Sequence, residues 1–103
     1  MERDDFRRLA LSLSGAVENA HQHHPDFRIG KRIFATMDYP RPGYAMVKLT
    51  PDQQEMLIQS EPAIFSPANG AWGRRGATLI CLEHADEPTA KSALQMAWTN
   101  LQP

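Results

Sequence analysis

The segment Ser66–Gly76 holds the residues of this chain best suited to binding chemistry, namely one large aromatic side chain and two adjacent arginines. Three glycines, an Asn-Gly step and a proline accompany Trp72, Arg74 and Arg75. Such residues favour special backbone angles, so we predict a shaped loop with two cations at its far end. Guanidinium groups grip phosphate oxygens in forked hydrogen bonds, and an indole ring can stack on a base. The chemistry expected here is recognition of an anion.

Basic residues are concentrated in one part of the chain, although the net charge is only −1. A chain of that charge has no general attraction for nucleic acid or for an anionic membrane. Residues 27–49 nevertheless hold five basic residues and one acidic residue, whereas residues 50–66 hold three acidic residues and no basic one. The charge is therefore segregated, and a basic surface on one side is expected.

Two interpretations of the basic residues stay open. In the first, they contact phosphates from hairpin and loop positions while Trp72 stacks on a base. In the second, they form a solvated strand face with ion pairs to an acidic helix at Asp52, Glu55 and Glu61, and Trp72 anchors its loop by packing. Under the first, the candidate nucleic-acid-binding residues are Arg28, Lys31, Arg32, Lys48, Trp72, Arg74 and Arg75.

The remaining reactive side chains do not predict a catalytic or metal site. His21 and His23 would share a strand face, and imidazoles bind zinc or nickel, but Pro25 disturbs the strand and no cysteine is near. Cys81 lies in an apolar run that is typical of a buried, inert thiol. The adjacent acidic pairs of the chain fit helix starts rather than paired-carboxylate catalysis. We therefore expect no enzyme, no catalytic residue, no metal and no cofactor.

The spacing of apolar residues predicts three helices. The first ends at Gly15. The second begins at a capping box formed by Thr50 and Gln53 and stops before Pro62. The third begins near Asp86. The side chains expected to face the core are Phe6, Leu9, Ala10 and Leu13 in the first helix, and Ala90, Leu94, Ala97, Trp98 and Leu101 in the last. We expect the last tryptophan to be buried against the first helix.

Strand-forming residues recur between about residues 17 and 37, with Gly30 and Lys31 as a predicted hairpin turn. A two-residue loop would place Phe27 opposite Phe34, and a three-residue loop would instead group Phe27, Ile29, Ile33, Ala35 and Met37 on one face. Further strands are predicted over residues 44–49 and 77–82, the latter in a central position. The order of elements predicts one α+β domain over residues 1–103, with about three helices on a mainly antiparallel sheet.

The composition is that of a soluble, cytoplasmic protein. The apolar runs are far shorter than a membrane span, and the charged N-terminus is not followed by an apolar leader segment. One cysteine excludes an internal disulfide and fits a reducing compartment.

Six short segments occur over nearly the whole chain in the order seen in one known group of proteins. They are Leu13-Ser14-Gly15, residues 24–30, Ile33-Phe34-Ala35, residues 47–51, residues 71–76 and Ala97-Trp98. On these segments the chain resembles the MmcQ/YjbR-like family of small bacterial domains. The resemblance implies a fold described as a double-wing motif and a frequent label of DNA-binding protein, but no reaction. The chain departs from the family pattern at Ser14, His23, Lys31 and Ala77.

Two classes of function therefore stay open. The first is a DNA-binding or other nucleic-acid-binding domain whose basic residues touch phosphates. The second is a protein-interaction or small-anionic-ligand module in which Trp72 and the two following arginines form a recognition notch. We place the first ahead because of the family's label, and we expect no membrane partner.

Overall fold

The computed structural model describes residues 1–103, which form four helices and six strands. The helices are α1 (Arg3–Leu11), α2 (Pro51–Ser60), α3 (Gly70–Arg74) and α4 (Glu87–Thr99). The strands are β1 (Ala16–His21), β2 (His24–Ile29), β3 (Arg32–Met37), β4 (Tyr44–Lys48), β5 (Phe65–Pro67) and β6 (Ala77–Cys81). The predicted α+β class is confirmed.

All six strands join one antiparallel sheet in the order β1-β2-β3-β4-β6-β5. The first four strands are consecutive in the chain, as expected of hairpins. β6 returns between β4 and the short edge strand β5, so it occupies the interior position that its apolar sequence predicts. The outer edges of the sheet are β1 and β5.

The β2–β3 hairpin combines features of both predicted registers. Its loop has two residues, since Ile29 pairs with Arg32, but a bulge beyond Arg28 shifts the pairing so that Phe27 faces Ala35 instead of Phe34. A bulge inserts one unpaired residue and locally breaks the alternation of side chains. Both Phe34 and its neighbour Ala35 are therefore buried in the same apolar cluster.

A hairpin between β1 and β2 corrects the expected arrangement of the histidines. Gln22 and His23 form its turn with φ angles of 48° and 69°, so His23 does not share a strand face with His21. His21 instead pairs across the strands with His24. Pro25 lies within β2 and does not interrupt it, because a proline near the start of a strand is tolerated when the ladder does not need its missing N–H.

The main apolar cluster lies between one face of the sheet and helices α1 and α4. It contains 20 buried residues, and Phe6 of α1 lies in edge-to-face contact with Phe27 of β2 at a centroid distance of 6.1 Å. Among the predicted core residues, the buried ones are Phe6, Leu9, Ala10, Leu13, Ala90, Leu94 and Ala97. The expected helical faces are confirmed for these positions.

Trp98 and Leu101 are only partly buried, which corrects the expectation for the end of α4. The indole Nε1–H of Trp98 donates a hydrogen bond of 2.8 Å to the carbonyl of Ser14. An indole N–H needs an acceptor when it is removed from water, so the ring lies at the rim of the cluster where a main-chain carbonyl is available. Cys81, at the end of β6, is also partly exposed and not buried as expected.

A smaller cluster lies on the opposite face of the sheet, which we call the second face. Because strand side chains alternate, Met46 and Leu79 point away from the main cluster that contains Ala45 and Ile80. Met46 packs with Ala68 and Ala77, and Tyr39 and Leu79 cover this group. The second face is therefore apolar near β4 and β6.

Helix ends follow the local signals in the sequence. The Thr50 hydroxyl accepts from the Gln53 N–H at 3.2 Å, and the Gln53 carboxamide accepts from the Thr50 N–H at 3.0 Å, which completes the capping box of α2. α2 ends at Ser60, before Pro62, and Asp86 caps α4 by accepting from the Thr89 N–H at 2.9 Å. None of the helices has the length and apolar character needed to cross a membrane.

Candidate anion-binding groove

The segment around Trp72 is a short helix and not the loop predicted from its glycines. α3 follows β5 directly and carries Trp72 on its exposed side. The glycines permit close packing of this helix. A Cβ at Gly73 would lie 1.7 Å from the carbonyl oxygen of Ala68, and one at Gly76, where φ is 113°, would lie 2.0 Å from that of Leu49. Gly73 therefore allows α3 to lie against Ala68, and Gly76 allows the chain after α3 to lie against Leu49.

Gln54 of α2 positions the end of α3. Its side-chain Nε2 donates to the carbonyl oxygens of Gly73 at 3.0 Å and of Ala77 at 2.9 Å. One amide group thus satisfies two main-chain acceptors, one in α3 and one at the start of β6. Sequence reasoning missed this residue because a glutamine inside a polar helix carries no signal of its distant partners.

A groove of about 370 Å³ opens at one end of the sheet, beside α3. Three cationic side chains line it, and they come from the start of β3, the end of β4 and the residue after α3. Trp72 forms part of the wall, and the Lys48 ammonium lies 5.7 Å from the centroid of its ring. The lining residues are Arg32, Lys48, Leu49, Thr50, Trp72, Arg75, Ala77, Asn100 and Leu101, none of them acidic.

Asn100 is held at the groove by a reciprocal pair of amide hydrogen bonds with Gln53. The Asn100 Nδ2 donates to the Gln53 Oε1 at 2.8 Å, and the Gln53 Nε2 donates back to the Asn100 Oδ1 at 3.3 Å. The start of α2 and the end of α4 are thereby joined beside the cations. Neither residue was predicted to belong to the site.

The structure brings four of the seven predicted site residues together and separates the others. Arg32, Lys48, Trp72 and Arg75 line the groove. Lys31 is exposed in the β2–β3 turn and Arg74 is exposed on α3, and neither lines the groove. Arg28 lies on β2, where its guanidinium group is hydrogen-bonded to Asp26.

Arg28 is the partner of Asp26, a carboxylate with no solvent exposure. Arg28 donates from Nε to one carboxylate oxygen at 2.8 Å and from Nη2 to the other at 3.0 Å. The His21 Nδ1 lies 2.7 Å from the second oxygen. Burial by itself raises the pKa of Asp26, but the hydrogen bonds and charges of Arg28 and His21 outweigh it and leave that pKa below its ordinary value.

The groove cations have no carboxylate partners. The ion pairs of the chain within 4.0 Å use Arg3, Arg7, Arg8, His21 and Arg28 as their basic members. The ion pairs to Asp52, Glu55 and Glu61 that the second interpretation expected do not form, and this part of it is wrong. Arg32, Lys48 and Arg75 remain available to an external anion.

Comparisons with known proteins agree with this architecture. A family model described as YjbR matches residues 11–100. The chain belongs to the YjbR family. The resemblance drawn from six short sequence segments is confirmed.

The fold of this YjbR-family chain is similar to that of a solved protein. The crystal structure of Deinococcus radiodurans protein DR2400, with a family-model domain DUF419, matches it with a TM-score of 0.78 and 18% sequence identity. The match covers 97% of this chain and 78% of that protein. At this identity the likeness concerns the fold. No curated protein matches the chain.

A row of four aromatic rings runs across the second face of this YjbR-family chain, from Trp72 to the β1–β2 hairpin. The centroid distances are 6.3 Å from Trp72 to Tyr39, 5.7 Å from Tyr39 to His24 and 6.4 Å from His24 to His21. Tyr39 was not predicted as a site residue because it lies in the connection between β3 and β4, far from Trp72 in sequence. Trp72 therefore joins the positively charged groove, which it lines, to a row of aromatic rings outside the groove.

Proposed function

We propose that this YjbR-family chain binds nucleic acid at the groove formed by Arg32, Lys48, Arg75 and Trp72. The observation that carries the proposal is the convergence of three cations, all without carboxylate partners, on one groove beside an exposed indole ring. Phosphate oxygens are the anionic groups that arginine and lysine recognise in nucleic acids.

The local charge supports binding even though the whole chain is nearly neutral. Most of the acidic residues outside the α2 region neutralise cations elsewhere, including Arg3, Arg7 and Arg8 of α1. The groove has no such neutralising partner, so its positive potential persists within a screening distance of about 8–10 Å at ordinary salt concentrations. The interaction of a nearby phosphate therefore depends on this local potential more than on the net charge of the molecule.

The Lys48–Trp72 contact can give way to a ligand without a large cost. An exposed cation–π contact contributes about 0.5–1 kcal/mol. Stacking of a base on an aromatic side chain contributes about 1–3 kcal/mol. A base that displaces the Lys48 ammonium from the ring also frees that ammonium to contact a phosphate, so the exchange favours the complex.

Two adjacent arginines give a matched test of the proposal. Arg75, the residue after α3, lines the groove, and Arg74, the last residue of α3, does not. In calorimetric titrations of random-sequence DNA over a salt series, Arg75→Ala should weaken binding and reduce the slope of log K against log salt by about one unit. Arg74→Ala should have a smaller effect, and Lys91→Ala, on an exposed position of α4, should have none.

The stability of these variants separates binding from folding. Neither arginine side chain makes a hydrogen bond within the protein, so the melting temperature of each variant should stay close to that of the wild-type chain. Wild-type protein that binds neither single-stranded nor duplex DNA at low salt would contradict the proposal, because electrostatic attraction is strongest there.

The groove volume favours a small anionic ligand as the second candidate. At about 370 Å³ it falls within the range of about 300–1,000 Å³ typical of small-molecule sites. A mononucleotide or inorganic phosphate that binds as tightly as a long oligonucleotide in the same titration would favour this candidate over nucleic acid.

A further inference from the structure

We infer that the ligand of the groove is a single strand, with an unpaired base stacked on Trp72 and its backbone along Arg32, Lys48 and Arg75. This inference rests on the proposed function and specifies the class of nucleic acid. Its experiment is chosen so that the two can fail separately.

The exposure of Trp72 points to an unpaired base. The residue is 44% exposed, although α3 itself is fixed to the sheet through Gly73 and Gln54. A rigidly mounted indole offers a flat ring face. The bases of a duplex already stack on one another, so only an unstacked base has a free face to place against this ring.

The shape of the molecule disfavours reading of a duplex. Recognition of base edges in the major groove needs a helix or a two-stranded ribbon that projects into it. α3 has five residues and is packed against Ala68. The β2–β3 hairpin, which carries Lys31 and Arg32, is flanked by β1 and β4 and ends in a two-residue turn. Neither element is a long helix or a free two-stranded ribbon of the kind that enters the major groove.

Tyr39 extends the stacking surface beyond a single nucleotide. Its ring lies 6.3 Å from Trp72 and is tilted by 37° to it, and its other neighbour in the row is His24 at 5.7 Å. A strand anchored by its phosphates at Arg32, Lys48 and Arg75 can therefore place a second base beside Tyr39. Affinity should rise from a mononucleotide to a short oligonucleotide.

The experiment compares ligands that share phosphates and differ in their bases. Calorimetric titrations at one salt concentration should use an oligothymidylate strand, an abasic strand of the same length and a random duplex of the same length. We expect the oligothymidylate strand to bind about tenfold or more tightly than either of the others, which is the range of one or two stacked bases.

Variants of Trp72 test the stacking contact itself. Trp72→Ala should lower the affinity for oligothymidylate by about tenfold, leave the affinity for the abasic strand unchanged and leave the salt slope unchanged. Trp72→Phe should restore most of the affinity because it keeps a ring. Melting temperatures of both variants should be measured to verify folding.

Each outcome has a definite consequence. Duplex binding as tight as strand binding, with no effect of Trp72→Ala, would overturn the inference and leave the proposed function intact. A failure of the wild-type protein to bind any of the three ligands at low salt would overturn both. Equal affinity for the abasic strand and oligothymidylate would overturn the inference alone.

Discussion

At the scale of single residues, Asp26 is a buried charge that depends on its neighbours. It has no solvent exposure, and both of its oxygens accept from Arg28 while one also contacts His21. Burial of a carboxylate is unfavourable unless such partners compensate for the lost water. Arg28, predicted as a phosphate contact, is therefore better explained as the partner that keeps this charge within the sheet.

The lowered pKa of Asp26 predicts how the free energy of unfolding changes in acid. Its stabilising contribution is fully present above the unfolded pKa of about 3.9 and is lost as pH falls through the lower folded pKa. Asp26→Asn should destabilise the protein by about 1–3 kcal/mol at neutral pH. It should also lose less stability than the wild-type chain on acidification below about pH 4. Urea unfolding over a pH series measures both effects.

The control for this variant is Asp52→Asn. Asp52 is exposed at the start of α2 and has no side-chain hydrogen bond, so its replacement should change the unfolding free energy at neutral pH by about 0.5 kcal/mol or less. Equal effects of the two substitutions would show that the Asp26 cluster contributes nothing specific.

Gly73 gives a second test at residue scale. Gly73→Ala places a methyl group where the Ala68 carbonyl lies, and main-chain atoms cannot move aside easily. We expect a loss of about 1–3 kcal/mol in urea unfolding. Gly70→Asn is the comparison on the same helix: its position is open, so only the backbone strain at a φ of 69° opposes it, and asparagine tolerates that conformation better than most residues. An unchanged unfolding free energy of the Gly73→Ala variant would contradict the close packing of α3.

At the scale of elements, the sequence predicts best what depends on local signals. The ends of α2 follow from Thr50, Gln53 and Pro62, all close together in the chain. The β2–β3 bulge and the helical form of α3 were not predictable, because each depends on packing against residues distant in sequence. The glycines of α3 indicate unusual backbone geometry, but they do not reveal that Ala68 and Leu49 are the neighbours that require them.

The same limit applies to the site. Composition and charge runs pointed to seven residues, and the structure gathers four of them at the groove because the start of β3, the end of β4 and the end of α3 lie near one another. Gln54 and Tyr39 were not predicted as site residues, because their roles depend entirely on tertiary contacts. The charge of Arg28 is visible in the sequence, whereas its engagement by the buried Asp26 on the same strand becomes visible only in the structure.

Gln54 provides the test at element scale. Gln54→Glu removes the amide donor and directs a carboxylate at the carbonyl oxygens of Gly73 and Ala77. We expect a destabilisation of about 1–3 kcal/mol, because the carbonyl oxygens of Gly73 and Ala77 each lose one of two donors and then face a carboxylate. Hydrogen exchange of the α3 amides should increase, and oligonucleotide affinity should fall. Gln95→Glu, exposed on α4, makes the same chemical change without these contacts and should leave all three quantities unchanged.

At the scale of the whole molecule, most of the residues that stabilise the fold lie apart from those proposed to bind the ligand. The main cluster of 20 residues occupies one face with α1 and α4, whereas α3 covers only part of the second face. Most of the apolar burial is thus independent of the groove. Substitutions at the groove should accordingly affect affinity more than folding.

Two aromatic truncations test the main cluster. Phe6 has no exposure, so Phe6→Ala should cost about 3–5 kcal/mol. Trp98 lies at the rim, so Trp98→Ala should cost less, about 2 kcal/mol, from partial burial and the lost hydrogen bond to Ser14. Chemical denaturation measures both. A larger loss for Trp98→Ala than for Phe6→Ala would contradict its placement at the rim.

The separate surroundings of the two tryptophans have a practical consequence for optical spectroscopy. Trp72 lies beside the groove and Lys48, while Trp98 lies against the main cluster with its N–H bound to Ser14. Since these are the chain's only indoles, Trp98→Phe leaves an emitter whose intensity should respond to ligand, and Trp72→Phe leaves one whose intensity should respond to unfolding. The unlabelled chain thus contains one intrinsic fluorophore for ligand binding and another for unfolding. A base stacked on Trp72 should quench the emission of Trp72 and leave that of Trp98 unchanged.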